Sequence, residues 1–246
     1  MKAMILAAGL GTRLRPLTDD RPKAQVELNG RTLLEITIAR LREFGVNEII
    51  INVHHFAEKL VDYLRENRNF GMRIEISRED PLLLDTGGGL KKAAWFFLED
   101  NSDEPFLVHN VDVLSNIDLG QMVSAHKERG ALVTLAVQQR ESSRQLLFDG
   151  SLQLCGRRIG HTGRPEIIRP AEYLQELAFS GIHVISPDML SMMEEEGVFS
   201  IIDTYLRLAA VREKILGFRA DEYYWRDLGR PEHIQQAEED LRKARL

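Results

Sequence analysis

Twenty-three residues at the N-terminus, MKAMILAAGLGTRLRPLTDDRPK, constrain this chain most. An apolar run, Met4-Ile5-Leu6-Ala7-Ala8, stops abruptly at Gly9-Leu10-Gly11-Thr12-Arg13, and Arg15 and Pro22-Lys23 follow. A buried strand that empties into a glycine-rich turn with cations beside it is a phosphate-binding layout. Glycines let backbone N–H groups approach an anion, and Arg and Lys neutralise its charge. The turn is not a P-loop, because no Gly-Lys-Ser/Thr follows. It is not G-x-G-x-x-G either, since Leu14 stands where the third glycine belongs.

The patterning beyond this turn predicts an α/β fold. Residues 1–7 read as a strand, and residues 33–44 follow helical spacing up to a C-terminal Gly45. Glu48–Val53 reads as a strand, Ala57–Glu66 as a helix with Leu60, Val61 and Leu64 inward, and Arg73–Ser77 as a strand. A helix is expected after Gly89, and Phe106-Leu107-Val108 is a buried strand. This β-α-β-α-β order implies a mixed, mostly parallel sheet whose ligands bind beyond the carboxyl ends of its strands. Later strands are expected at 131–137, 146–148 and 178–185, with an irregular excursion over 156–178 between them. Helices are expected at 187–195, 199–212 and 230–245. We read one domain over 1–246, with a nucleotide-binding half (1–130) and a sugar-binding half plus C-terminal helix (131–246).

Charge and cysteine usage narrow the setting. A net charge of −6 argues against a general nucleic-acid or membrane-surface binder. The lone Cys155 suits a reducing compartment, and no secretory signal or membrane-length apolar run is present, so cytoplasm is expected.

Four further stretches carry chemistry. Val108-His109-Asn110-Val111-Asp112 ends a buried strand in a carboxylate. Trp225-Arg226-Asp227-Leu228-Gly229 offers a second one far along the chain. Hard oxygen donors of this kind suit Mg²⁺. Asp85-Thr86-Gly87-Gly88-Gly89 allows close backbone approach to a flat base, with Glu79 just before it. Phe179-Ser180-Gly181-Ile182-His183 reads as a strand interrupted at its glycine. The histidines form no metal-ligand spacing.

The N-terminal segment resembles the signature of the sugar-1-phosphate nucleotidyltransferases, L-A-A-G-x-G-T-R-L-x-P-L-T-x-x-x-P-K-P, with only Ala24 departing. The other stretches resemble this family's T-G-G-G, Gly-Asp, F-S-G-I and W-x-D-x-G-T elements. The resemblance implies a Rossmann-like nucleotide-diphospho-sugar transferase fold, a three-layer sandwich. It implies the reaction of a nucleoside triphosphate with a sugar 1-phosphate to give an NDP-sugar and pyrophosphate. On that reading Arg13, Lys23 and Asp112 are catalytic. Leu6, Ala7, Ala8, Gly9, Gly11, Thr12, Arg13, Lys23, Glu79, Gly87 and Gly88 bind the nucleotide. Asn110, Gly181 and Glu172 face the sugar, and Asp112 and Asp227 hold Mg²⁺. Val111, where relatives often carry glycine, restricts the backbone and is expected to alter the space beside the sugar, which bears on sugar identity more than on catalysis. Many relatives have a Glu-Lys pair before the F-S-G strand; none is found here, and Glu172 is the nearest acid.

Short chains with these segments most resemble N-acetylmuramate α-1-phosphate uridylyltransferases, with mannose- and heptose-1-phosphate guanylyltransferases close behind. UTP or GTP and a sugar 1-phosphate are therefore the implied partners, with room for a homo-oligomer and no nucleic acid or membrane. Two readings from other classes compete: a metal-dependent glycosyltransferase of similar fold, and a non-catalytic nucleotide-sugar-binding regulatory homologue. The N-terminal G-x-G-T-R…P-K element argues against the first, and Arg13, Lys23, Asp112 and Asp227 together argue against the second.

Overall fold

The structure, a computed structural model, describes residues 1–160 and 162–243. The chain opens with β1 (Lys2–Leu6), a short hairpin of β2 (Glu27–Leu28) and β3 (Arg31–Thr32), and α1 (Leu33–Glu43). Then come β4 (Glu48–Val53), α2 (Ala57–Glu66), β5 (Arg73–Arg78), α3 (Asp85–Leu98), β6 (Phe106–Asn110), β7 (Val113–Ser115) and α4 (Leu119–Arg129). The second half adds β8 (Val133–Gln138), β9 (Arg144–Phe148), β10 (Leu154–Ile159), β11 (Glu166–Ile167) and the long β12 (Gln175–Ile185). It ends in α5 (Asp188–Ser191), α6 (Ile201–Ala210), β13 (Ile215–Arg219), β14 (Trp225–Asp227) and α7 (Pro231–Arg242).

Ten strands form one mixed sheet in the order β11-β10-β9-β12-β6-β1-β4-β5, with β8 pairing β12 and β13. The β6-β1-β4-β5 portion is parallel. The sheet crosses residue 130 without a break, because β12 pairs antiparallel with β6. Side chains alternate across β1: Ala3 and Ile5 pack with α1 on one face, Met4 with α3 and α6 on the other. All three are fully buried, as a central strand covered by helices on both faces requires. The outcome is the expected α/β three-layer sandwich.

Local chemistry sets the element ends. The Thr32 hydroxyl caps α1 by accepting from the Glu35 N–H, and Gly45 leaves the helix at φ +78°. Three readings change. Helix α3 starts at Asp85 and so contains the three glycines. Residues 154–159 form a strand between β9 and β11 rather than an irregular excursion. The helix expected at 187–195 is the four-residue α5.

Candidate active site

The N-terminal turn is held open by its own packing. Gly11 has φ +65°, and a Cβ there would lie 3.0 Å from Thr18 Cγ2 and 3.2 Å from Lys23 Cβ. The Thr18 hydroxyl donates to the Gly11 carbonyl at 2.9 Å, and Leu14 is fully buried beneath the turn. Ala7 and Ala8 are buried, with the Ala7 N–H donating to Asn52 Oδ1 at 2.7 Å. Among the described residues, no backbone N–H between Gly9 and Arg13 makes a hydrogen bond. A run of free N–H groups with positive ends outward is an anion cradle.

Opposite this cradle two distant carboxylates meet. Strand β14 pairs antiparallel with β7, setting Asp227 beside Val113. The Leu228 N–H then donates to the Asp112 carbonyl at 2.7 Å. Gly229 shows how tightly the side chains converge. A Cβ at this position would sit 2.7 Å from Asp227 Oδ1, 3.1 Å from Arg13 Nη2 and 3.5 Å from Asp112 Oδ2. The Lys23 ammonium donates to Asp112 Oδ2, with the two side chains only 14% and 10% exposed. Lys23 is thus a sheltered, paired cation and not an open loop charge. Asp227 does not cap α7, whose N-cap is Arg230; its Oδ1 accepts from the Gly229 N–H at 3.0 Å.

On the far side of Asp227 the bulge in β12 builds a second wall. The register of β12 against β8 shifts between Phe179 and His183, and Gly181 sits there at φ +76°. A Cβ on Gly181 would meet Asn110 Nδ2 and Val113 Cγ2, each at 2.9 Å, so only glycine lets β12 pass this close to Asn110. The Trp225 indole N–H donates to the Ser180 carbonyl at 2.7 Å. Arg140, which follows β8, lies with its guanidinium 3.7 Å from the Trp225 ring and donates through Nη2 to the Phe179 carbonyl at 2.7 Å. Burial pulls the Arg140 guanidinium down to about 10 while Asp227 pulls it up, so it remains a cation at neutral pH. Nothing in the sequence separates Arg140 from the chain's many surface arginines; only the fold brings it here.

Several expected site residues stand elsewhere. Gly87 and Gly88 are buried, and both N–H groups donate to the Phe199 carbonyl, at 3.0 and 3.4 Å, so neither is free for a base. The three glycines are required by packing. Added Cβ atoms would lie 2.3 Å from the Phe199 ring, 2.4 Å from the Gly197 carbonyl and 2.5 Å from Glu79 Oε1. Glu79 is itself fully buried. Its carboxylate accepts from Asn52 Nδ2 at 2.7 Å and from the Leu84 N–H at 2.8 Å, so it ties the β1 turn to the start of α3 instead of meeting a base. Val111 is 3% exposed, its side chain packed in the core. Glu172 is exposed before β12 and is not joined to the cluster by any hydrogen bond or ion pair. His109 and His183 are buried, and burial lowers them to about 4 and about 3, so both are neutral core groups.

The fold and this geometry define a nucleotidyltransferase-like α/β protein, and comparison with known proteins agrees. The Nucleotidyl transferase family matches residues 2–148, and the chain belongs to that family. It is 33% identical to an N-acetylmuramate alpha-1-phosphate uridylyltransferase of Caulobacter vibrioides, over 98% of this chain and 97% of that one. It is 31% identical to mannose-1-phosphate guanyltransferase 2 of Candida glabrata, over 94% of this chain and 62% of that one. The longer relatives are spanned over only part of their length, 36% for a Synechocystis UTP--glucose-1-phosphate uridylyltransferase. Among solved structures, HddC from Yersinia pseudotuberculosis complexed with GMP-PN superposes with a TM-score of 0.75 at 22% identity, over 98% of this chain and 99% of that one, a likeness of fold.

Proposed function

We propose that the chain joins a nucleoside triphosphate to a sugar 1-phosphate, forming an NDP-sugar and pyrophosphate. The observation that carries this reading is the convergence of Arg13, Asp112 and Asp227 around Gly229, with Lys23 on Asp112 and the free N–H groups of residues 9–13 opposite. Nucleotidyl transfer consists mostly of positioning and charge neutralisation, and this site supplies both. The nucleophile needs no general base. The second pKa of a phosphate monoester is about 6, so the sugar phosphate arrives as a dianion. One of its oxygens bonds to the α-phosphorus as the bond from that phosphorus to the α–β bridging oxygen breaks, and pyrophosphate departs with the electron pair. Arg13 and the N–H cradle hold the departing pyrophosphate. Lys23 shifts its donors from Asp112 to the α-phosphate oxygens.

Asp112 and Asp227 fit a Mg²⁺. They are hard oxygen donors facing one point, and Mg²⁺ binds through one or two carboxylates with waters and substrate phosphates completing its shell. When bound, the ion would neutralise phosphate charge.

We assign the base to the segment Leu6, Ala7 and Ala8, where β1 opens into the phosphate-binding turn, with the Ala7 N–H held by Asn52 and the Gly87 and Gly88 N–H groups held by Phe199. The uridylyltransferase relative matched over 97% of its length supports UTP and N-acetylmuramate 1-phosphate or a related hexose 1-phosphate as the substrates. The test is a matrix of UTP, GTP, CTP, dTTP and ATP against muramyl, glucosyl, mannosyl and heptosyl 1-phosphates, scored by pyrophosphate release. A mismatched base leaves buried polar groups unpaired, so UTP should exceed the others by about 10²-fold in kcat/KM. A GTP preference of that size would replace the uridylyl assignment with guanylyl transfer.

A further inference from the structure

We propose that Arg140 binds the phosphate group of the sugar 1-phosphate and holds its attacking oxygen for the transfer. This inference rests on the transferase reading above and assigns a residue that its N-terminal cations leave unfilled.

Arg140 is a part-buried cation with unused donors. Several part-buried arginines pair with carboxylates: Arg157 with Glu166 and Asp203, Arg207 with Glu195, and Arg226 with Asp240. Arg140 is part-buried and makes no carboxylate ion pair within 4.0 Å among the described residues; Asp227 acts on it only from farther off. Its Nε is sealed from solvent without a hydrogen-bond partner, and of its remaining nitrogens only Nη2 is engaged, by the Phe179 carbonyl. A sheltered guanidinium with idle donors is costly unless an anion regularly occupies it. Its planar fork matches a phosphate better than an ammonium does.

Its position fits this anion. The guanidinium is clamped on Trp225, and Trp225 is fastened to Ser180. Trp225 and Asp227 are two apart on β14, so they project from the same face of the strand. Arg140 therefore stands on the carboxylate side of β14, next to the β12 bulge where Gly181 presses on Asn110. The triphosphate already has Arg13, Lys23 and the N–H cradle. The second phosphate of the reaction needs a cation of its own, and Arg140 stands beside Trp225, the Phe179 carbonyl and Asp227.

The experiment compares the wild type with Arg140→Gln and Arg140→Lys, using N-acetylmuramate α-1-phosphate and mannose 1-phosphate as sugar phosphates and inorganic phosphate as a competitive inhibitor. Arg140→Gln should raise the KM for the sugar 1-phosphate about 10- to 100-fold, as for a lost charge-assisted contact. The KM for the nucleoside triphosphate should stay within about twofold, and inhibition by inorganic phosphate against the sugar substrate should weaken in parallel with the sugar KM. Arg140→Lys should recover part of the loss. It keeps the charge and also reports if the Gln variant fails to fold. Three results would overturn the inference: an unchanged sugar-phosphate KM, a rise confined to the nucleotide KM, or an equal loss for both substrates with a changed near-ultraviolet signal from Trp225, which marks a purely structural tether. A wild type that turns over while Arg140→Gln keeps its sugar KM refutes this inference alone. A wild type inert with every substrate pair refutes the transferase reading and this inference with it.

Discussion

Lys23→Ala should lower kcat by about 10²- to 10³-fold, the loss typical of a removed electrostatic stabiliser. It should also destabilise the protein, measured by denaturant unfolding with chelator present, by roughly 3 kcal/mol. The second effect follows from the structure. Lys23 is the counter-charge of Asp112, whose side chain is 10% exposed, and its removal strands a sheltered carboxylate. The double variant Lys23→Ala/Asp112→Asn should therefore regain much of the stability and none of the activity. Stability is then restored while catalysis is not. Near-normal turnover in Lys23→Ala would remove the residue from the reacting centre. A double variant no more stable than the single one would remove the charge-pair account.

Gly229→Ala should cost about 10²-fold in kcat/KM while the protein stays folded, with its melting temperature within a few degrees of wild type. The new methyl group would stand 2.7 Å from Asp227 Oδ1 and 3.1 Å from Arg13 Nη2. Both are tips of flexible side chains, so the fold accommodates the methyl by pushing them aside, and displacement of catalytic groups by a fraction of an ångström is enough for a loss of this size. Unchanged kinetics in Gly229→Ala would mean that the convergence around Gly229 is not where phosphates react.

Local patterning made much of the fold legible. Strand β4 and helix α2 fall on the residues their periodicity predicts, and the N-terminal turn carries its phosphate chemistry in contiguous residues. What stayed hidden depends on contacts between distant segments. The reading of Gly87–Gly89 missed that Phe199 and Gly197 press against them, because three glycines look alike whether they admit a ligand or a neighbouring loop. Glu79 is buried by Asn52 and the start of α3, neither of which its own neighbours reveal. Strand β10 reads as irregular because its sequence is charged and glycine-bearing, and its pairing with β9 and β11 defines it instead. Arg140 acquires meaning only when Trp225 folds beneath it.

The central claim is a transfer that needs two substrates at once. Its most direct test is simultaneous measurement of pyrophosphate and NDP-sugar with the purified protein, Mg²⁺, a nucleoside triphosphate and a sugar 1-phosphate, each omitted in turn. The account predicts one pyrophosphate released per NDP-sugar formed and none when either substrate is left out. Pyrophosphate from the triphosphate alone, consumption of a supplied NDP-sugar by glycosyl transfer, or binding without any turnover would contradict it.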